Sequence, residues 1–320
     1  MSANSWKSIV VAVRDPDAKM QMAVKKASEL ARRCNARLTL LHVFAFPYPI
    51  PKGTDLSSTD ILDRVQSRWE KSLARLAAPL IKTGLKVDCV VQWDYPIHDA
   101  IVRHIQKAKP DLLVAESHHH GMVARWFLTN TDWELIRSCP CPLWFVKTAH
   151  LPEHPAILAA VDPFHARAKP ANLDGQIIDV ARQLKKRISG KITVAHACEI
   201  PMTAIVAGPM EALPIPLSSQ EVRKLEREAK RVLSRLVKKH GLQPSDCAVQ
   251  VGSPNVVIES LVKKQKIDVL VMGAVSRRGL NRALIGSTAE RIIDPLQCDA
   301  LILKPKGFKA TVGRSITLAA

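Results

Sequence analysis

Two short stretches concentrate residue types whose spacing suits ligand chemistry. The first runs from Gly273 to Arg291. Gly273 closes an apolar run, Arg277, Arg278 and Arg282 follow, and Gly286, Ser287, Thr288 and Ala289 lead into a second apolar stretch. A glycine at a strand's carboxyl end lets the backbone approach a ligand with no Cβ in the way, and unpaired N–H groups at a helix start favour phosphate. The second stretch is Glu116-Ser117-His118-His119-His120. In an extended loop His118 and His120 point the same way and offer two imidazoles to one cation. Zinc takes three or four ligands, so Asp94 and His98, which flank Pro96, are the candidate further donors. A solvated histidine loop is the alternative.

Positioning these groups requires strands and crossover helices, and the chain supplies them twice. The apolar run 9–13 returns at 157–161, 38–42 returns at 192–196, and 111–114 returns at 268–271, always in the same order. Thr131 and Ile136 match Thr288 and Ile293 in the same register. Such self-similarity marks a duplication. Short apolar runs bounded by Asp, Pro and Gly suit strands buried on both faces of a parallel sheet. They are expected near 8–14, 37–44, 86–92, 111–116 and 142–147, then near 156–162, 191–198, 246–251, 268–272 and 299–304. Between them, Ser218 and Glu221 make a capping box for a helix over 218–240. The fold class is α/β: two tandem doubly wound domains, residues 1–150 and 151–306, with a tail at 307–320. Pairing of 142–147 with 299–304 would make an intramolecular pseudo-dimer; a monomer and a homodimer of such units are both open.

No stretch approaches the roughly 18 to 20 continuous apolar residues of a membrane span, and residues 1–7 lack a signal-peptide pattern, so a cytoplasmic protein is expected. The seven cysteines are odd in number and mostly within apolar runs, which suits reduced, buried thiols. A formal net charge of +18 raises nucleic acid and acidic surfaces as partners. The cations recur on polar helix faces, and aromatics are only 4%, which leaves few stacking platforms and makes nucleic acid a minority reading. His42, whose repeat mate is His196, reads as a satisfied core histidine. The loops 45–55 and 200–217 read as lids, and Met202, Ile205, Val206 and Met210 in the second hint at an apolar or lipid-like ligand.

The segment from Gly273 onward resembles the nucleotide motif of the universal stress protein family, in its tandem two-domain type. In that motif Gly, two residues, Gly, nine residues and Gly-Ser line a triphosphate. Gly273, Gly286 and Ser287 fit it, and Ser276 stands in place of the middle glycine. The resemblance implies ATP with Mg²⁺ in the second half. It places Asp162 near adenine and ribose and Ala197 against adenine, matches Met272 to the apolar residue before the first glycine, sets Ser276 in the phosphate loop and carries Thr288 and Ala289 past the phosphates; the Arg277 charge stands beside them. In the first half Glu116 stands at the Gly273 position, His119 at Ser276, Thr129 at Gly286, Asn130 at Ser287 and Arg14 at Asp162, so that half should not bind ATP in the usual way. Tandem members also carry a His-x-His and a counterpart of Thr131-Asp132-Trp133, which adds to the zinc reading. No Ser-His-Asp order, kinase signature or Walker lysine is present. The expected function is nucleotide-dependent regulation with at most slow hydrolysis. The alternatives are a basic structural or nucleic-acid-associated protein with vestigial sites, or a first half that takes zinc or an apolar ligand.

Overall fold

All ten expected apolar runs become strands, and they join into one sheet. A computed structural model describes residues 6–45, 58–116, 118–119, 126–127, 130–164, 172–199, 203–205, 213–215, 218–274, 287–310 and 312–313. The first half contains β1 (Ser8–Ala12), α1 (Met22–Cys34), β2 (Arg37–Phe44), α2 (Ser58–Lys82), β3 (Val87–Trp93), α3 (Ile97–Ala108) and β4 (Leu112–Glu116). The short β5 (His118–His119) and β6 (Trp126–Phe127), α4 (Asn130–Ser138) and β7 (Leu143–Val146) complete it. The second half repeats the plan with β8 (Ala156–Ala160), α5 (Leu173–Arg187), β9 (Lys191–Cys198), the short β10 (Thr203–Ile205) and β11 (Leu213–Ile215), and α6 (Ser219–Lys239). It ends with β12 (Cys247–Val251), α7 (Pro254–Lys264), β13 (Val269–Gly273), α8 (Ser287–Ile293) and β14 (Asp299–Leu303).

Strand order across the sheet is β12-β9-β8-β13-β14-β7-β4-β1-β2-β3. Each half is parallel with its first and fourth strands adjacent, which is the doubly wound order with a switch point between them. The inner strands are buried almost throughout, as their continuous apolar runs require, while the outer strands β3 and β12 are only half-buried. One core lies between the sheet and α1, α2, α5 and α6; a second lies between its other face and α3, α4, α7 and α8. The Ser218 capping box is present, and α6 turns Ala229, Leu233 and Val237 onto the sheet.

The halves meet where β7 and β14 pair antiparallel, with Trp144 opposite Leu301. This is the internal pseudo-dimer expected from sequence. The joint is charged as well as apolar. Asp299 is fully buried, and its carboxylate accepts from Trp144 Nε1 at 2.8 Å, Lys147 N at 2.9 Å and Thr148 N at 3.0 Å. The buried Lys26 ammonium lies 2.9 Å from the same carboxylate and donates to the His150 carbonyl. Lys147 crosses the joint in the other direction. Its ammonium donates to the carbonyls of Ile293 and Leu296 at the end of α8, at 2.7 and 2.8 Å. Ile293 is the last residue of α8, and its carbonyl also accepts from Leu296 N at 3.4 Å.

All seven cysteines are free; five are buried, Cys247 is half-buried, and Cys89 on the outer strand β3 is exposed, against the expectation from its apolar setting. Cys139 and Cys141 pack in the core with their sulfurs 3.6 Å apart. The segment after β14, which sequence left without a role, lies along α3 of the first half: Arg103 donates to the Gly313 carbonyl at 2.7 Å, and Gly313 N donates to Asp99 at 3.1 Å.

Asp299→Ala leaves Lys26 buried without its counter-charge, so equilibrium urea unfolding should show a loss of about 3 kcal/mol. Burial pushes the Lys147 amine down to about 8, from 10.5. Between those values the folded state binds fewer protons than the unfolded one, so the group's contribution to stability grows with rising pH and is lost as pH falls through the window. Wild type should therefore gain stability relative to Lys147→Met, by on the order of 2 kcal/mol between pH 8 and pH 10.

Candidate functional site

The second half's switch point lies between β8 and β13. Their register sets Ile157 beside Val269 and Ala159 beside Val271, and β8 pairs Ala160 with Ala195 of β9. Two steps further along the same register, Asp162 falls level with Ala197 and with the residue after Gly273. The sequence-derived residues Asp162, Ala197, Met272 and Gly273 therefore gather at one carboxyl edge from three neighbouring strands. Met272 is buried in the core that carries α7 and α8, and Ala197 packs against the same core. Asp162 N donates to the Asp174 carboxylate at 3.1 Å, which ties the edge to the first turn of α5. His196 lies behind this row. Its Nδ1 is 3.2 Å from the Val161 carbonyl and 4.0 Å from Asp162 Oδ1. A nitrogen facing a carbonyl must carry the proton, so the other ring nitrogen holds the lone pair in the neutral form.

Gly273 has a packing reason that the sequence did not show. A Cβ there would lie 2.8 Å from Leu173 Cδ2 and 3.3 Å from its Cγ, so the bare Cα admits a side chain of α5. Beyond it, Ala274 N donates to the Leu303 carbonyl, and the Lys304 ammonium donates to the Ala274 carbonyl at 2.5 Å. Burial lowers the Lys304 amine to about 8, which leaves it mostly charged at neutral pH. A cation is thus fixed at the first peptide of the glycine-rich turn. Lys304 was not singled out in the sequence, although its repeat mate Lys147 was a usable signal. Phe164 was missed too: its ring is 5.2 Å from that of His196, and nearly half its surface is exposed at the same edge. Ser276, Arg277 and Gly286 lie outside the described residues. Ser287 and Thr288 open α8, and Ala289 within it is buried.

The first half solves the same joint with charge. α1 has no side-chain cap of its own and no acidic residue in its first turn. Glu116 reaches it from the end of β4 and accepts from Ala23 N at 3.1 Å, while burial raises its carboxyl above the ordinary value. A carboxylate here satisfies a helix N-terminus from within the chain. An incoming phosphate would meet that charge.

Of the zinc candidates, His120 lies outside the described residues and His118 is described only as backbone in β5. Asp94 is buried and held by Arg103 at 2.8 Å, and His98 Nε2 lies 3.7 Å from Asp99. A cation at Asp94 must compete with Arg103. Among the described residues no three His, Cys, Asp or Glu side chains stand close enough together to hold a metal. His42 is buried as expected, with Nδ1 2.9 Å from the Val13 carbonyl, but among the described residues its Nε2 has no hydrogen-bond partner. The proposed lid 45–55 lies outside the described residues except for Ala45. In the second lid, β10 and β11 form an antiparallel pair that includes Ile205, and Met202, Val206 and Met210 lie outside.

The sequence profile of the Usp: Universal stress protein family matches residues 5–147 and again 156–304. The chain belongs to the universal stress protein family. It is 28% identical over 315 residues to Universal stress protein E of Escherichia coli K12, covering 95% of this chain and 96% of that one. It is 24% identical over 312 residues to Universal stress protein E of Photorhabdus laumondii, covering 96% and 98%. Among solved structures, a Pseudomonas aeruginosa UCBPP-PA14 protein described as a universal stress protein is 25% identical, with a TM-score of 0.69 and 95% of each chain covered. A universal stress protein of Archaeoglobus fulgidus shares the fold at 14% identity, with a TM-score of 0.65 over 94% of this chain and 99% of that one. No helix among the described residues is long and apolar enough to cross a membrane.

Within this universal stress fold, Gly273→Ala should cost about 1 kcal/mol in urea unfolding through overpacking against Leu173. Leu173→Val in the same chain should recover most of that loss, which locates the strain in the joint rather than in a ligand.

Proposed function

We propose that the protein is a stress-response regulator whose second half binds ATP or a related adenine nucleotide with Mg²⁺, and whose first half does not. The observation that carries this reading is the row of Asp162, Ala197, Met272 and Gly273 at the β8–β13 switch point. Ligands of doubly wound sheets bind outside the carboxyl ends at such a point. The donor set suits a nucleoside: small and apolar side chains on the floor, the carboxylate of Asp162 at the rim with that of Asp174 beside it, and a fixed ammonium where the turn leaves β13. In this reading Ser287 is the oxygen donor to Mg²⁺, and the turn's arginines neutralise phosphate. Bound Mg²⁺ would supply charge neutralisation between phosphate oxygens.

The reading is regulation rather than catalysis because no residue of the sequence stands out as a water-positioning base. Phosphoryl transfer needs an oriented nucleophile and a group to orient it. Asp162, the acidic group at this edge, is tied by its backbone to Asp174 and lies on the nucleoside side. In this reading the first half is unsuited to the same ligand because Glu116 stands at the Gly273 position, where its carboxylate would repel phosphate.

Isothermal titration with Mg-ATP should give one site per chain. Gly286→Asp and Asp162→Ala should each abolish or weaken that heat at least tenfold, and Glu116→Gln should leave it unchanged. No heat with wild type, or equal heat with Gly286→Asp, would remove the proposal.

A further inference from the structure

The cations that look evenly spread along the sequence are sorted by the fold onto one side of the sheet. Helices α1, α2, α5 and α6, which cover one face, carry twenty-one Lys and Arg against nine Asp and Glu. Helices α3, α4, α7 and α8 on the opposite face carry six against five. Lys26 is buried against Asp299, so twenty cations against nine carboxylates leave a surplus of eleven on the first face, still most of the chain's formal +18.

Its densest part is α6. All eight of its cations, from Arg223 to Lys239, are exposed, and among the described residues none is ion-paired to a carboxylate. Arg227, Arg231 and Arg235 recur every fourth residue on the side away from the buried Ala229 and Leu233. At the other end of the same face, Arg64, Arg68, Lys71 and Arg75 form one stripe along α2 and line a groove of about 1000 Å³. Ten strands at ~4.8 Å spacing make the face about 43 Å across, comparable to the ~35 Å of one duplex turn.

We propose that this face binds double-stranded nucleic acid through its phosphates, without reading bases. The charge selects a polyanion, and the absence of other features selects the duplex. Trp69 is the sole aromatic residue in these four helices, and its ring packs 4.7 Å from that of His42, so no platform is free to stack single-stranded bases. Among the large exposed apolar residues only Ile81 belongs to these helices, whereas a helix seated in a membrane surface buries an apolar face among acyl chains. Protein interfaces centre on apolar residues and are depleted of lysine, unlike this face. Phosphate contacts need only exposed Lys and Arg at helical spacing.

The test uses the full-length chain and a fluorescein-labelled duplex of about 20 base pairs, read by anisotropy. Affinity should fall on the order of a thousandfold between 50 and 200 mM salt if about six phosphates are neutralised. Arg227→Glu, Arg231→Glu and Arg235→Glu together should weaken binding at least tenfold and flatten the salt slope. Lys263→Glu with Lys264→Glu, on the opposite face, should stay within twofold of wild type. Circular dichroism and melting control for folding, and Arg64→Glu with Lys71→Glu on α2 gives a second set should the first fail to fold. Equal losses from both faces, no binding at 50 mM salt, or preference for a single strand or for phosphatidylserine vesicles over the duplex would each overturn the assignment.

Discussion

The buried carboxylate of Asp299 is the constraint on which the arrangement of the two halves depends. β7 and β14 are the last strands of their domains, and each would otherwise present an unpaired edge to solvent. Pairing them antiparallel removes both edges, and Asp299 fixes the join by accepting from the indole of Trp144, two backbone amides beyond β7, and the ammonium of Lys26. Each donor belongs to the first half and the acceptor to the second. A buried ion pair of this kind contributes less to net stability than to definition of one register, because the desolvation of both charges offsets much of their attraction.

That join has a geometric consequence for function. Strands within each half are parallel, but the halves run in opposite directions across the β7–β14 seam. The carboxyl ends of the two halves therefore face opposite edges of one sheet, and the crevice at Asp162 and Gly273 cannot share a ligand with the one at Glu116. In the second half an apolar side chain, Leu173, closes the joint behind Gly273. In the first, a carboxylate closes it by capping α1. The helices that carry the basic surplus share one face of the sheet, because the pseudo-twofold keeps equivalent helices on the same side.

Much of this was legible in the residues. The ten strands follow from short apolar runs bounded by turn formers, and α6 follows from Ser218, Glu221 and a regular apolar face. Repetition exposed the duplication, and the end strands, apolar enough to need covering, pointed to the internal pairing. Charge at long range was not legible. Lys26, Lys147 and Asp299 look like surface residues in their local contexts, and they become a buried cluster only once two segments over a hundred residues apart meet. The same holds for Asp94, which reads as a metal donor beside His98 but is held by Arg103 nine residues on. Gly273 was noticed for the right strand end, yet the side chain that demands it lies a hundred residues earlier. The sorting of cations by face needs the sheet topology, which assigns each helix its side.

The account's central claim is that a nucleotide sits at the second half's switch point and nowhere in the first. Photolabelling with an azido-adenine analogue of ATP, followed by peptide mapping, addresses the position of the base directly. The account predicts labelled peptides that contain Asp162, Ala197 or Met272, with labelling suppressed by unlabelled Mg-ATP. Competable label confined to first-half peptides around His42 or Glu116 would contradict it.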